Sequence, residues 1–166
     1  MAEIKTLISK AAVLEGLAGH PAVKAILAWN SAALADAKFD RGELTLTIAA
    51  GQIRDAAATV QAAGYNFLED VTAVDWFPST PRFQVSYHIL SHSLKELIRL
   101  RVLLDEANPS LPSITPIWPS ANYYEREVFD LFGIDFKEHP NQRRILMPDD
   151  WTGNPLRKDY PVEGYR

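Results

Sequence analysis

A two-layer α+β domain followed by an extended C-terminal arm is the architecture this sequence predicts. Three observations predict it. Strict two-residue alternation of apolar and polar side chains recurs in several short stretches, the mark of half-buried strands. Between the stretches lie segments with helical spacing and small side chains. Beyond Asn108 the regular patterning stops, and proline, charge and aromatic residues take over.

The first element is a helix over residues 3–18, with Ile4, Leu7, Ile8 and Ala11 on one face. Gly16 and Gly19 weaken its end, and Pro21 opens a second short helix over Ala22–Ala28. A strand over Ala33–Phe39 and another over Glu43–Ala49 flank Asp40-Arg41-Gly42, a turn with glycine where a positive φ is needed. Leu44, Leu46 and Ile48 point one way and Thr45 and Thr47 the other, so these strands form a hairpin. Gln52–Ala63 is an amphipathic helix ended by Gly64. Three strands follow, over Phe67–Trp76, Arg82–Ser91 and Lys95–Leu104. In the second, Phe83, Val85, Tyr87 and Ile89 alternate with Gln84, Ser86 and His88; in the third, Ile98, Leu100 and Val102 alternate with Arg99 and Arg101. The order α-β-β-α-β-β-β is satisfied by one mixed, mostly antiparallel sheet with helices on one face.

Residues 1–107 thus read as the α+β core domain, and 108–166 as a proline-rich linker, a short helix and a partner-binding arm. The last 46 residues carry 16 of the 38 charged side chains and eight of the 17 aromatics, a density the preceding domain lacks. The short helix runs over Tyr123–Phe132, with Asn122 and Glu125 in capping-box spacing and Gly133 as its stop. Tyr124, Val128, Leu131 and Phe132 form its buried stripe; Arg126, Glu127 and Asp130 share the other face, where Arg126 and Asp130 stand one turn apart and pair. Arginine and aromatic residues threaded with prolines favour an interface arm, because guanidinium forks pair with carboxylates and proline limits the entropy lost on ordering.

Composition excludes several classes of function. A net charge of −4 and a pI near 5.5 argue against a nucleic-acid binder. The absence of cysteine removes disulfides, thiol nucleophiles and thiolate ligation of iron–sulfur clusters by this chain. Lys10 and Glu15 interrupt any signal-peptide core, and no apolar run reaches the ~20 residues of a membrane helix, so a soluble chain is expected. His88 and His92 lie four apart without the glutamate of a zinc-protease motif, which makes them ordinary strand histidines. No phosphate-binding glycine loop and no nucleophile elbow is present. One catalytic reading remains, a stand-alone hydrolase built on Glu127, Asp130 and His139, but it lacks a supporting motif.

Glu125-Arg126-Glu127, Asp130, Gly133, Phe136, His139-Pro140, Arg143-Arg144-Ile145-Leu146 and Pro155-Leu156-Arg157-Lys158-Asp159-Tyr160-Pro161 together resemble one family. So do Asp70-Val71-Thr72-Ala73-Val74-Asp75 and Pro112-Ser113-Ile114-Thr115. It is the C-subunit family of the proton-pumping NADH:quinone oxidoreductase, respiratory complex I. Three positions depart from its pattern: Tyr123 stands in place of Trp, Glu138 in place of Gly, and Gln142 in place of Leu. Glu138 speaks against a tight left-handed turn there, because glutamate tolerates positive φ less well than glycine.

The resemblance implies an accessory, non-catalytic subunit of the peripheral arm of this translocase. Such a protein serves electron transport in the respiratory chain without binding a cofactor; FMN, iron–sulfur clusters, NADH and quinone belong to other subunits. Its implied partners are the quinone-site subunit (the D subunit) and the B and I subunits. Its implied place is peripheral, on the cytoplasmic side of the inner membrane. Glu125, Arg126, Glu127, Asp130, His139, Arg143, Arg144, Arg157, Lys158 and Asp159 are the residues it assigns to the partner interface or its support. The equivalent subunit of a membrane-bound hydrogenase-type complex is the alternative.

Overall fold

A computed structural model describes residues 6–164. Helix α1 spans Lys10–Gly16 and α2 spans Pro21–Asn30; strands β1 (Leu34–Asp40) and β2 (Glu43–Ile48) follow. After α3 (Ile53–Ala62) come β3 (Phe67–Asp75), β4 (Phe83–Ser91) and β5 (Glu96–Leu104). A short β6 (Ser110–Pro112), α4 (Ala121–Phe132) and a short β7 (Asp135–Lys137) complete the described elements. The fold is α+β.

The five long strands form one sheet in the order β1-β2-β5-β4-β3. Every neighbouring pair is antiparallel except β2 with β5, which is parallel. The β1–β2 hairpin closes through Arg41 (φ 53°) and Gly42 (φ 87°), the two positive values that a type I′ turn demands. Leu44 and Leu46 of β2, Val85, Tyr87 and Ile89 of β4, and Ile98, Leu100 and Val102 of β5 face inward and are buried. They form one cluster with Val23 and Ile26 of α2, Ile53 and Val60 of α3, and Val128 and Leu131 of α4.

The opposite face is polar, as the alternation predicts. Arg99 Nε donates to His88 Nε2 (2.7 Å), which leaves the His88 Nδ1–H to donate to the Asp70 carboxylate (2.6 Å). Arg99 and Arg101 lie across the sheet and bond to the hydroxyls of Thr45 (3.2 Å) and Thr47 (2.7 Å). Both threonines are buried beneath these side chains. His92 pairs instead with Asn66. Among the described residues, no group of three or more His, Asp or Glu side chains is placed to hold a metal ion.

The first helix differs from the expected 3–18. Residues 3–5 lie outside the described residues, and Leu7 pairs in an antiparallel bridge with Phe39 on the edge strand β1. Its backbone bonds to Phe39 (2.7 Å each way) compete with helix formation, so α1 starts only after Ser9, whose hydroxyl accepts from Ala12 N. The tail also contains strands the alternation does not reveal, since three-residue β6 and β7 pair in parallel and are too short to show a period.

The two faces of β5 differ in their sensitivity to substitution. Leu100 is fully buried at the sheet centre and Leu103 is 37% exposed on the polar face. Leu100→Ala lowers the unfolding free energy by about 2–5 kcal/mol, and Leu103→Ala by about 0.5 kcal/mol or less, in urea denaturation. Equal losses would place the two side chains on one face.

Candidate partner interface

The C-terminal segment lies against α4 and is fixed there from beneath by backbone and side-chain bonds. The helix that carries it starts differently from the expected capping box. Ala121 is its first residue and Ser120 its N-cap, without a side-chain cap bond. Glu125 therefore does not reach back to the helix start. Its side chain is turned inward and accepts from Ser113 Oγ (2.6 Å) and Ile114 N (2.8 Å).

The expected Arg126–Asp130 pair is replaced by two longer-range interactions. Arg126 is 8% exposed and donates to the carbonyls of Arg143 (3.1 Å) and Arg144 (2.9 Å). Asp130 is fully buried. Its Oδ2 accepts from the backbone N–H of Ile145 (3.0 Å), Leu146 (2.8 Å) and Met147 (2.9 Å), and its Oδ1 from Arg144 Nη1 (2.5 Å). Burial pushes the Asp130 carboxyl up, but the Met147 N–H, Arg144 and the neighbouring amides outweigh it and hold it below the usual carboxylate range. Donors 14–17 residues downstream win over a partner one turn away because three converging N–H groups satisfy a buried carboxylate more completely than one guanidinium.

The end of α4 is closed by the same segment. Gly133 is left-handed (φ 70°, ψ 29°) and bonds back to Phe129 O. Asn154 Nδ2 donates to Asp130 O (3.0 Å), Leu156 N to Leu131 O (3.0 Å) and Arg157 Nε to Phe132 O (2.6 Å). These are carbonyls a helix leaves unpaired at its C-terminus, and a cationic partner there also suits the helix dipole. Any side chain at Gly133 would collide, since a Cβ there would sit 2.6 Å from Asn154 Oδ1 and 2.9 Å from Arg157 Nη2.

A second anchor sits at the far end of the segment. Arg82 is 2% exposed and grips Asp75 through both oxygens (3.0 and 2.8 Å). The same guanidinium reaches Asp159 (3.0 and 2.6 Å) and Glu106 (2.5 Å), and it stacks on Phe77 and Phe83, 5.0 and 4.9 Å from their centroids. Asp75 also accepts from the backbone of Phe77 and Lys158 (both 2.9 Å). Against its burial, Arg82 and these amides hold the Asp75 carboxyl at about 2. The surrounding carboxylates push the Arg82 guanidinium further up still.

The ten residues assigned by resemblance therefore divide. Glu125, Arg126 and Asp130 are buried, and Arg144 and Arg157 are half-buried and bonded within the chain. The His139 ring is enclosed, its Nε2 directed to Asn122 O (3.2 Å) and its Nδ1 accepting from Asn141 N (3.0 Å), and burial lowers its affinity for a proton. Glu127, Arg143 and Lys158 are exposed, and Asp159 is exposed while reaching Arg82. Glu127, Asp130 and His139 do not converge: the first faces solvent, the second is saturated by the arm, and the third sits beside Glu125 (3.9 Å).

Several large apolar side chains of α4 and the arm are exposed, interspersed with the exposed charges of Arg143, Asp149, Asp150 and Lys158. Tyr123 is 64% exposed, Leu146 60%, Leu156 50% and Trp151 39%. Glu138 takes the left-handed conformation (φ 61°) despite its side chain, correcting the expectation that it would prevent a tight turn. Arg54 makes this possible, pairing with the Glu138 carboxylate (2.8 Å) while donating to Ser113 O and Lys137 O on either side. Arg82, Asp75, Arg54, Ser113 and Asn154 are not among those ten residues, although Asp75 and Ser113 stand in the strings that carry the resemblance. Only Asp75 carries a signal in the sequence, a charge at the inward parity of Val71 and Ala73 on β3.

Residues 46–166 match the family described as respiratory-chain NADH dehydrogenase, 30 Kd subunit. The C subunit of NADH-quinone oxidoreductase from Citrifermentans bemidjiense is 50% identical over 133 residues, 80% of this chain and 83% of that protein. Its counterpart from Roseiflexus sp. is 48% identical over 134 residues, 79% of this chain and 76% of its own. Among solved structures, a trypsin-resistant fragment of Nqo5 matches with a TM-score of 0.57 and 36% identity, covering 60% of this chain and 83% of the fragment. A component of the membrane-bound sulfane sulfur reductase, an archaeal respiratory membrane complex, matches with a TM-score of 0.74 and 27% identity, covering 87% of this chain and 86% of that one.

Two outcomes follow from the anchors. Asp130→Asn costs about 2–4 kcal/mol in urea unfolding, because one buried acceptor is replaced by a group that also brings unsatisfied N–H donors. The second concerns acid. Asp75 has its folded value below its unfolded value of 3.8, so its contribution is complete above about pH 4 and is lost as pH falls toward about 2. Asp75→Asn removes about 2 kcal/mol of acid-dependent stability, read as a flattened slope of midpoint against pH in that window.

Proposed function

The chain belongs to the family of the 30 Kd subunit of respiratory-chain NADH dehydrogenase, and from that membership we propose an accessory, non-catalytic role in which the outer face of its arm docks on the quinone-site subunit. The observation that supports this reading most is the set of large apolar side chains left outside a segment fixed from within. Arg126 and Asp130 hold the backbone of the arm from inside, while Tyr123, Leu146, Trp151 and Leu156 are left exposed among the exposed charges of Arg143, Asp149, Asp150 and Lys158. Exposed apolar and aromatic side chains on a fixed frame, rimmed by Arg143 and Lys158, have the composition of a protein interface. The B and I subunits complete the proposed neighbourhood. The role places the protein peripherally on the cytoplasmic side of the inner membrane, as part of the arm that carries electrons from NADH to quinone. Flavin, iron–sulfur clusters, nicotinamide and quinone are assigned to the other subunits.

Within this reading, residues 1–107 form the core domain and 108–166 the linker, helix and docking arm. The likeness to the sulfane sulfur reductase component extends over 87% of the sequence and favours a second host, a related membrane-bound complex with a different electron input. Native mass spectrometry of the gently solubilised complex distinguishes the two. Co-purification with the B and D subunits and with flavin- and NADH-binding subunits is expected; partners without an NADH-binding subunit select the second host, and a free monomer in cells excludes both.

The docking face has its own test. Leu146→Asp and Arg143→Ala alter side chains that no anchor uses, so each leaves the urea midpoint of the free protein unchanged. Each reduces recovery of the complex by about tenfold or more, the loss expected from about 2 kcal/mol at an interface position. Equal damage to the free protein would assign these side chains to the fold.

A further inference from the structure

Glu125 belongs to neither anchor, yet it is completely enclosed. From the β6–α4 connection, Ser113 Oγ donates to its Oε2 (2.6 Å) and Ile114 N to its Oε1 (2.8 Å). From the residues after β7, His139 approaches to 3.9 Å, but its ring offers no positive charge: Nδ1 accepts from Asn141 N, leaving Nε2–H directed at Asn122 O. From α3, Arg54 is turned away to Ser113 O, Lys137 O and Glu138, so its charge reaches Glu125 only across Ser113. From the sheet, Tyr87 of β4 is fully buried, feels the charge of Glu125, and its hydroxyl has no hydrogen-bond partner among the described residues. The carboxylate thus has two donors and, among the described residues, no salt-bridged Lys or Arg. Burial pushes it up to about 7, against the pull of Ser113, Ile114 N and Arg54.

A second hydroxyl lies between Glu125 and the surface. Ser113 Oγ is 2.8 Å from Thr115 Oγ1. Thr115 lines a surface groove with Pro116, Pro119, Asn122, Pro140 and the carboxylate-bearing Glu138, which pairs with Arg54. The hydroxyls can be read in either direction with no heavy atom moving. With the carboxylate ionised, Ser113 donates to it; with the carboxyl protonated, Oε2–H donates to Ser113, which donates to Thr115.

We propose that Glu125 is a proton-binding site linked to the surface groove by the Ser113–Thr115 hydroxyl pair, making the junction between α4 and the sheet responsive to pH. One proton enters at Thr115, each hydroxyl accepts one proton and passes one on, and the carboxylate is neutralised. The device belongs to this protein's own fold and stands whichever complex it serves. Because the folded value lies above the unfolded value of 4.5, the stabilisation is complete below about pH 4.5 and is lost as pH rises through about 7. His139, whose proton affinity is lowered, acts in the opposite sense below its ordinary value of 6.5. The low-lying Asp75, Asp130, Asp135 and Asp159 act only in stronger acid. Comparison with Glu125→Gln at each pH therefore isolates the Glu125 contribution.

The test is infrared difference spectroscopy of the full-length protein between about pH 5 and about pH 9, with thermal unfolding alongside. A protonated-carboxyl band disappearing with a midpoint near 7, and missing in Glu125→Gln, is expected. The wild-type melting temperature should fall across this range more steeply than that of the variant. Ser113→Ala removes a bond that is stronger to the charged form than to the neutral one, and so moves the midpoint upward. Thr115→Val leaves the midpoint in place and slows deuterium exchange into the carboxyl. If Glu125→Gln does not fold, these last two variants carry the test. A midpoint in the ordinary glutamate range, a band that survives in Glu125→Gln, or a midpoint unmoved by Ser113→Ala overturns the proposal, and unchanged exchange in Thr115→Val overturns the relay.

Discussion

The path of the arm depends on how one buried carboxylate is satisfied. Asp130 projects from the last turn of α4 into a region from which water is excluded, where an unpaired anion would cost several kcal/mol. Its compensation comes almost wholly from the amides of Ile145, Leu146 and Met147, together with Arg144. Three consecutive backbone N–H groups can converge on one oxygen only if the backbone curls around it. The carboxylate therefore dictates the conformation of residues 144–147 as a glycine-rich loop is dictated by a phosphate. Asn154, Leu156 and Arg157 then extend the contact by closing the terminal carbonyls of the same helix.

Arg82 completes the constraint at the other end. Held between Phe77 and Phe83, it faces carboxylates from three places: Asp75 on β3, Glu106 just after β5, and Asp159 on the arm. Lysine could supply the charge but not the geometry, because the planar fork is what engages Asp75 and Asp159 in pairs of parallel bonds while stacking on rings. The negative charges outnumber the guanidinium, and backbone amides from Phe77 and Lys158 absorb part of the excess at Asp75. One end of the arm is thus tied to a helix terminus and the other to the sheet.

How much of this the sequence reveals depends on the range of each interaction. The β1–β2 hairpin, α3 and the strands β3 to β5 are legible within a residue or two, because period-two alternation and turn glycines act locally. The parallel β2–β5 pairing is not, since nothing in either strand names a partner some fifty residues away. Residues 6–9 look helical because Leu7 and Ile8 fit the spacing; the pairing of Leu7 with Phe39 on an open edge decides otherwise. In α4 the charges at Arg126 and Asp130 look like a solvated face, since helical spacing alone cannot show that amides from residues 145–147 return to cover them. The same limit hides Arg82, which is one more arginine at the start of a strand until Asp159 folds back onto it.

Buried charge of this kind is a poor source of raw stability, because desolvation consumes most of what the ion pairs return. Its effect is on uniqueness. An arm held by apolar contacts alone could slide by a residue along α4 at little cost; one held by Asp130 and Arg82 cannot, because any slip strands a carboxylate or a guanidinium away from water. The apolar side chains left outside, Leu146, Trp151 and Leu156, are then displayed in one arrangement before any partner arrives. For the docking role proposed above this matters quantitatively. Ordering a flexible segment on binding consumes about 0.5–1.5 kcal/mol for each immobilised side chain, whereas a segment already ordered by its own fold keeps that energy for the interface. The rigidity that the buried charges impose on the exposed apolar side chains can in this way set the strength of an assembly without adding a contact to it.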